Sequence, residues 1–266
     1  MYDVNYHRAS SVEEAASLMS RAEDGKFVAG GQTLIPTMKQ RLAAPSDLID
    51  LRHIASMKGI RVEGGKVTIG AATTHAEVAG SADIARVCPG ICSLASHIGD
   101  PAGRQMGTIG GSIANNDPAA DYPAAMMALG ADIVTNKRTI AADDFFAGLF
   151  ETALEDGEII TSVSFSAPVK CAYAKFANPA SRYAMAGVFV ARFDDGSVRV
   201  GVTGAGSDGV FRHKGMEDAL TSDWNAGALD GVSVDEGMML SDIHGDAAYR
   251  ANLVKVMAKR AVAAAG

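Results

Sequence analysis

The stretch FVAGGQTLIPTMKQRL, residues 27–42, passes from strand residues into helical spacing through a bare pair of glycines, Gly30 and Gly31. Phe27 and Val28 suit a buried strand. Leu34, Met38 and Leu42 recur at helical intervals, and Pro36 suits a first helical turn. Glycine belongs where φ turns positive or where backbone must approach another group closely. A second pair, Gly110-Gly111, stands in GTIGGSIANND, again beside apolar residues. Each cluster, AGGQT (29–33) and TIGGS (108–112), offers consecutive backbone N–H groups that no side chain screens, flanked by hydroxyl residues. Two nests facing one another hold a pyrophosphate without any lysine. Either cluster alone is a tight turn; as a pair with no basic residue in either, they point to a dinucleotide.

The surrounding pattern is mixed. SVEEAASLM, N-capped at Ser10 or Ser11 with acids in its first turn, predicts a helix. KFVAG predicts a strand, TLIPTMKQRL a second helix and SDLIDL a second strand after Pro45, so the chain opens as a small βαβ unit. IRVEGGKVTIGAATT predicts an antiparallel hairpin turned at Gly64-Gly65. AEVAGSADIARVCPGICSLASHIG returns to helical spacing, interrupted by Pro89. After TIGGS comes a polar turn, then the helix DYPAAMMALGA with Asp121 as N-cap, then the strand ADIVTN. The character changes at about residue 166. YAMAGVFVARFDDGSVRVGVTGAG reads as strand, turn near Asp194-Asp195-Gly196, and strand; AAYRANLVKVMAKRAVAAAG reads as an amphipathic helix. No internal repeat or low-complexity segment is present.

The expected fold is therefore α+β. A two-part domain over 1–166 (subdomains about 1–57 and 58–166) combines a small parallel α/β sheet with a mainly antiparallel sheet. A C-terminal domain, 167–266, pairs an antiparallel sheet with helices.

Composition narrows the function classes. A formal charge of −7 argues against nucleic acid, whose binding needs clustered Lys and Arg. No apolar run approaches membrane-spanning length and MYDVNYHRAS is no signal peptide, so no membrane insertion and a cytoplasmic location are expected. Three cysteines make neither a disulfide framework nor a four-thiolate cluster site. Cys88 and Cys92 are four apart on an expected helix face. GAGSDG (204–209) matches the dinucleotide pattern G-x-G-x-x-G after a strand, but the polar, broken VFRHKGMEDALTSDWNAGALDG cannot supply the next parallel strand. It reads as a solvent turn, and a nicotinamide-dependent dehydrogenase is not favoured.

AGGQTLIP and MGTIGGSIANNDPAADYPAAMMALGA resemble the two FAD loops of the medium, FAD-binding subunit of molybdenum hydroxylases, the family of aerobic carbon monoxide dehydrogenase and of the xanthine dehydrogenase flavin domain. GAATTHAEV, IITSVSFSAP, KFANPASRYAMAGV and DIHGDAAYRANLVKVMAKRA resemble further family segments in the same order, carrying the similarity to residue 262.

That resemblance implies noncovalent FAD, since no histidine stands in AGGQT for covalent attachment. It implies that Ala29, Gly30, Gly31, Gln32, Thr33 and Leu34, with Thr108, Ile109, Gly110, Gly111 and Ser112, contact its pyrophosphate and ribityl chain. The hydroxyls of Thr33, Thr108 and Ser112 suit phosphate oxygens, or local capping. Asp121 is either a helix N-cap or an acid against the ribityl hydroxyls. Tyr183 stands beside the isoalloxazine or is an ordinary sheet tyrosine. Lys175 and Ile160 match flavin-neighbouring positions, although Lys175 also reads as a solvated surface residue. His75 reads as structural, with no catalytic triad around it.

By the same resemblance the chain is an electron-transfer flavoprotein with no catalytic side chain of its own. Electrons would come from iron–sulfur clusters of a small subunit, reduced by a large molybdenum-binding subunit, and leave to NAD, a quinone or dioxygen. A heterotrimer follows, with the molybdenum cofactor and clusters held only by partners. The alternatives are a free-standing FAD-dependent oxidoreductase of the same fold and a cofactor-free scaffold. FAD is expected between the two halves of 1–166, its ring towards the C-terminal domain.

Overall fold

The computed structural model describes residues 1–266. Three strands, Asn5–Arg8, Gly25–Val28 and Asp47–Asp50, form a parallel sheet with Asp47–Asp50 in the middle. The helix Val12–Met19 makes the first crossover; its N-cap is Ser11, whose hydroxyl accepts from the Glu14 N–H at 3.1 Å. The second crossover helix, Leu34–Lys39, is shorter than its apolar spacing predicts. The Leu42 N–H bonds the Thr37 carbonyl and the Arg41 N–H the Met38 carbonyl, a Schellman ending. Arg41, at φ +61°, occupies the left-handed position that glycine usually takes. Leu42 consequently leaves the helix and is 75% exposed, where its spacing placed it on the buried face.

Five strands then form an entirely antiparallel sheet, in the spatial order Ile60–Glu63, Lys66–Gly70, Ile160–Ser166, Asp132–Thr135, Thr139–Ala141. Gly64 and Gly65, at φ +57° and +78°, make the expected hairpin turn. Between the strands Lys66–Gly70 and Asp132–Thr135 lie short helices rather than one interrupted helix: His75–Ala79, Ala82–Val87, Pro89–Ser96, Pro101–Met106, Ile109–Asn115 and Tyr122–Leu129. Cys88 is the joint between two of them, not part of a helix face, and its sulfur lies 3.4 Å from that of Cys171.

The chain leaves this sheet at Ser166 and enters a four-stranded antiparallel sheet at Lys170. Its strands are Lys170–Ala177, Ala184–Arg192, Val198–Thr203 and Phe211–Arg212. Both faces are covered, so Ala184–Arg192 reads as a continuous apolar run. Phe189 and Ala191 point into a core of 38 residues shared with the five-stranded sheet, whereas Val188 and Val190 point into a second core of 19 residues. The helix Ala247–Ala265 closes that second core.

Candidate functional site

A cleft of about 880 Å³ runs between the three sheets, walled by residues 26–34, 71–75, 98–121, 154–160 and the 175–183 region. Every residue expected at the site lines it except Ile109, which is fully buried in the core. Ile109 contributes packing under the cleft and no surface to it.

The first glycine loop keeps its donors free. None of the N–H groups of Ala29, Gly30, Gly31, Gln32 or Thr33 has a hydrogen-bond partner within the chain, and the Thr33 hydroxyl is free as well. Gly31 sits at φ +70°. A Cβ at Gly30 would stand 2.3 Å from the Met106 carbonyl oxygen and 2.6 Å from Gly107 Cα. This loop is therefore wedged directly against the lead-in to the second one.

The second loop is not the open nest its glycines suggest. It is the first turn of the helix Ile109–Asn115, and its donors are already engaged. Ile109 N–H bonds the Thr73 carbonyl and Gly110 N–H the Ala71 carbonyl, while Gly111 and Ser112 N–H bond the Thr108 hydroxyl and carbonyl. Thr108 is thus the N-cap. Gly110 lets the helix rest on the strand end, since a Cβ there would lie 2.5 Å from the Ala71 Cβ. Gly111 faces the cleft and is exposed, and the Ser112 hydroxyl beside it is free. The two loops thus divide their work, one donating backbone N–H groups and the other providing a smooth wall.

At the opposite end, Asp121 and Lys175 form a buried ion pair. Lys175 Nζ donates to Asp121 Oδ2 at 2.9 Å, with 4% and 6% of the two side chains exposed. Lys175 is therefore not a solvated surface residue; it reaches inward from the strand Lys170–Ala177 and also touches the His97 carbonyl. Asp121 precedes the helix Tyr122–Leu129 but makes no side-chain cap bond. Its carboxylate instead accepts from Lys175 and from the Tyr173 hydroxyl. Burial pushes its carboxyl upward, opposed by Lys175 and Tyr173. The 117–121 segment is held down by Thr203, whose hydroxyl lies 2.6 Å from the Ala120 carbonyl, and by the Gly204 N–H on the Pro118 carbonyl.

Tyr183 lies just before the strand Ala184–Arg192, not within a sheet, and is 56% exposed at the mouth of the cleft. Burial against Asp117 and Asp121 raises its phenol. Ile160, 5% exposed, is part of the apolar wall.

Three lining residues escape sequence reasoning. Arg182, at φ +64°, lines the cleft next to Tyr183 in the chain, and Asp117 adds a carboxylate. Arg182 is adjacent to Tyr183 in SRYAMAG, which was the available signal. His75, 6% exposed, lines the cleft with its ring against Gly107. Its Nδ1 is buried without a partner, and the ring lies 5.4 Å from that of Tyr122. Burial, followed by Arg104, pulls its pKa down to about 4. The GAGSDG segment lies outside the cleft, between antiparallel strands; Gly204, Ala205 and Gly206 are buried rather than in a solvent turn.

The donor set fits a flavin dinucleotide. Free backbone N–H groups and two free hydroxyls suit a diphosphate, apolar Leu34, Leu154 and Ile160 suit flat rings, and a cation stands at the far end.

Residues 2–168 match the family model of the FAD binding domain in molybdopterin dehydrogenase. The nicotine 6-hydroxylase medium subunit of Paenarthrobacter nicotinovorans is 36% identical over 99% of this chain and 97% of its own length. The carbon monoxide dehydrogenase medium chain of Afipia carboxidovorans is 37% identical over 97% of this chain and 95% of its own. A chain in the crystal structure of the cyanide-inactivated Cu,Mo-CO dehydrogenase superposes with a TM-score of 0.90 at 36% identity, covering 98% of this chain and 97% of that one. This chain belongs to the family of FAD-binding domains of molybdopterin dehydrogenases, as the FAD-binding medium subunit of an oxidoreductase.

Proposed function

We propose that this chain is the electron outlet of a molybdenum hydroxylase. It would take electrons from iron–sulfur clusters of a small subunit, which receives them from a large molybdenum-binding subunit, and release them to NAD, a quinone or dioxygen. The carrying observation is the ring end of the cleft. Its buried acid and cation, Asp121 and Lys175, are bonded to each other, and the Tyr173 hydroxyl behind the wall also donates to Asp121, so neither charged group stands free as a general base. A site for proton abstraction from a substrate needs such a group; a site that only passes electrons does not.

Noncovalent FAD supplies the redox chemistry when bound. Residues 29–33 bind its diphosphate through their N–H groups, helped by the Thr33 and Ser112 hydroxyls. Gly110 and Gly111 admit the dinucleotide along their wall, with Thr108 fixing that helix. Gln32 and Leu34 flank the first loop, and Ile160 packs against the flavin. Lys175 and Asp121 would set the charge at the ring, and Tyr183 would stand over it at the mouth of the cleft. Residues 1–166 act as the flavin domain and 167–266 as a C-terminal domain that brings Lys175 and Tyr183 to it. The complex is a cytoplasmic heterotrimer, with the molybdenum cofactor and the clusters in the partners.

Purification of the chain from its native host, followed by metal and flavin analysis, tests this. The expected product is a three-subunit complex containing molybdenum, iron and FAD. A chain isolated without partners that turns over a substrate by itself would instead mark a free-standing oxidoreductase.

A further inference from the structure

We infer that Tyr173 is a positioning residue for the electron-transfer site, holding the Asp121 carboxylate ionised against Lys175 and so setting how strongly the Lys175 charge acts at the ring end of the cleft. The inference rests on the reading that FAD occupies this cleft with its ring towards Lys175.

Tyr173 is itself buried, 6% exposed, and does not line the cleft. Its hydroxyl donates to Asp121 Oδ1 while Lys175 donates to Oδ2, so each carboxylate oxygen has one donor. The arrangement depends on the strand opposite. Gly187 pairs with Lys175 across the sheet, and a Cβ there would stand 2.2 Å from the Tyr173 hydroxyl. The missing side chain makes the space in which the phenol reaches Asp121. Ring packing alone would not need it, because the Tyr173 ring already packs in the core, tilted and 6.4 Å from that of Phe189. A buried phenol needs a partner, and here the partner is a carboxylate from the segment before the helix Tyr122–Leu129.

The consequence follows from charge. A buried carboxylate keeps its negative form only through its donors. With the phenol removed, Asp121 has one donor fewer and takes up a proton more readily. The positive charge of Lys175 is then less cancelled, which favours the more negative, reduced state of a flavin beside it. Strengthening the phenol as a donor acts in the opposite direction.

The experiment is a redox titration of the flavin in the complex as isolated, carrying wild-type chain, Tyr173→Phe, Asp121→Asn, or both substitutions. FAD content is measured by release on denaturation. Tyr173→Phe is expected to retain FAD and shift the midpoint potential upward, raising the reduced-to-oxidised ratio about tenfold at fixed ambient potential. In the Asp121→Asn background, Tyr173→Phe should add no further shift, an outcome that a packing role would not produce. If Tyr173→Phe does not fold, 3-fluorotyrosine at position 173 keeps the shape and strengthens the donor; the potential should then move downward. An unchanged potential in both the Phe and fluorotyrosine proteins, or an equal shift with and without Asp121, overturns the role of Tyr173 while leaving the cleft assignment intact. A wild-type complex whose flavin is carried by another chain overturns the cleft assignment and the inference with it.

Discussion

Lys175 Nζ lies 2.9 Å from Asp121 Oδ2, and the two residues come from different elements: one from a strand of the C-terminal sheet, the other from the segment before a helix of the flavin domain. The pair fastens those elements together at the end of the cleft away from the first glycine loop. With side chains only 4% and 6% exposed, neither group can fall back on water if its partner is removed.

Lys175→Met in the apo chain should therefore cost about 3 kcal/mol or more, the range for breaking one side of a buried pair. Adding Asp121→Asn should recover part of that loss, because it removes the stranded charge. Urea unfolding of the single and double variants measures it. Equal and additive losses would mean that the pair carries no coupling.

Gly110 and Gly111 should behave differently although they are neighbours. Gly110→Ala drives a methyl to 2.5 Å from the Ala71 Cβ and 2.7 Å from the Ala71 carbonyl, so roughly 1–3 kcal/mol of stability should be lost. Gly111 opens on the cleft, and its Cβ would meet the Thr108 hydroxyl at 3.0 Å and the Ala29 Cβ at 3.9 Å. Gly111→Ala should leave folding stability within about 1 kcal/mol. Thermal unfolding of the two apo variants separates them; a larger loss for Gly111→Ala would reverse their roles.

His75 should make the chain acid-sensitive. Its pKa is about 4 when folded, against about 6.5 in the unfolded chain. Between those values the unfolded state holds more proton, so its contribution to stability is complete above about pH 6.5 and is lost as pH falls towards 4. The full effect approaches about 3 kcal/mol. His75→Leu, which also removes the unpartnered Nδ1, should flatten the stability profile of the apo chain across that window. An unchanged slope would place the acid sensitivity elsewhere.

The layers of the fold were legible because their signals are local. The Gly64-Gly65 hairpin, the Ser11 cap and the change of sheet near residue 166 each rest on a few adjacent residues. The early end of Leu34–Lys39 was hidden because arginine, not glycine, takes the left-handed position at its close. The two glycine pairs look alike in sequence yet differ in structure. Whether an N–H is free depends on distant carbonyls such as those of Ala71 and Thr73, which no local pattern reports. Lys175 and Tyr173 were obscure for the same reason, since a lysine on a strand reads as solvated until its partner 54 positions away is known. Arg182 and His75 joined the cleft only through the packing of three sheets.

The most direct test of the central claim is an FAD titration of the apo chain, followed by flavin fluorescence, with Gly111→Leu and Gly206→Ala alongside. Wild type should bind one FAD per chain. Gly111→Leu should lose at least tenfold in affinity at nearly unchanged stability, because its side chain enters the cleft that Gly111 leaves open. Gly206→Ala should lose stability, its Cβ falling 2.5 Å from the Gly209 carbonyl, yet keep FAD because it lies outside the cleft. Undiminished FAD binding by Gly111→Leu, with loss of FAD from a still-folded Gly206→Ala, would contradict the assignment of this cleft as the flavin site.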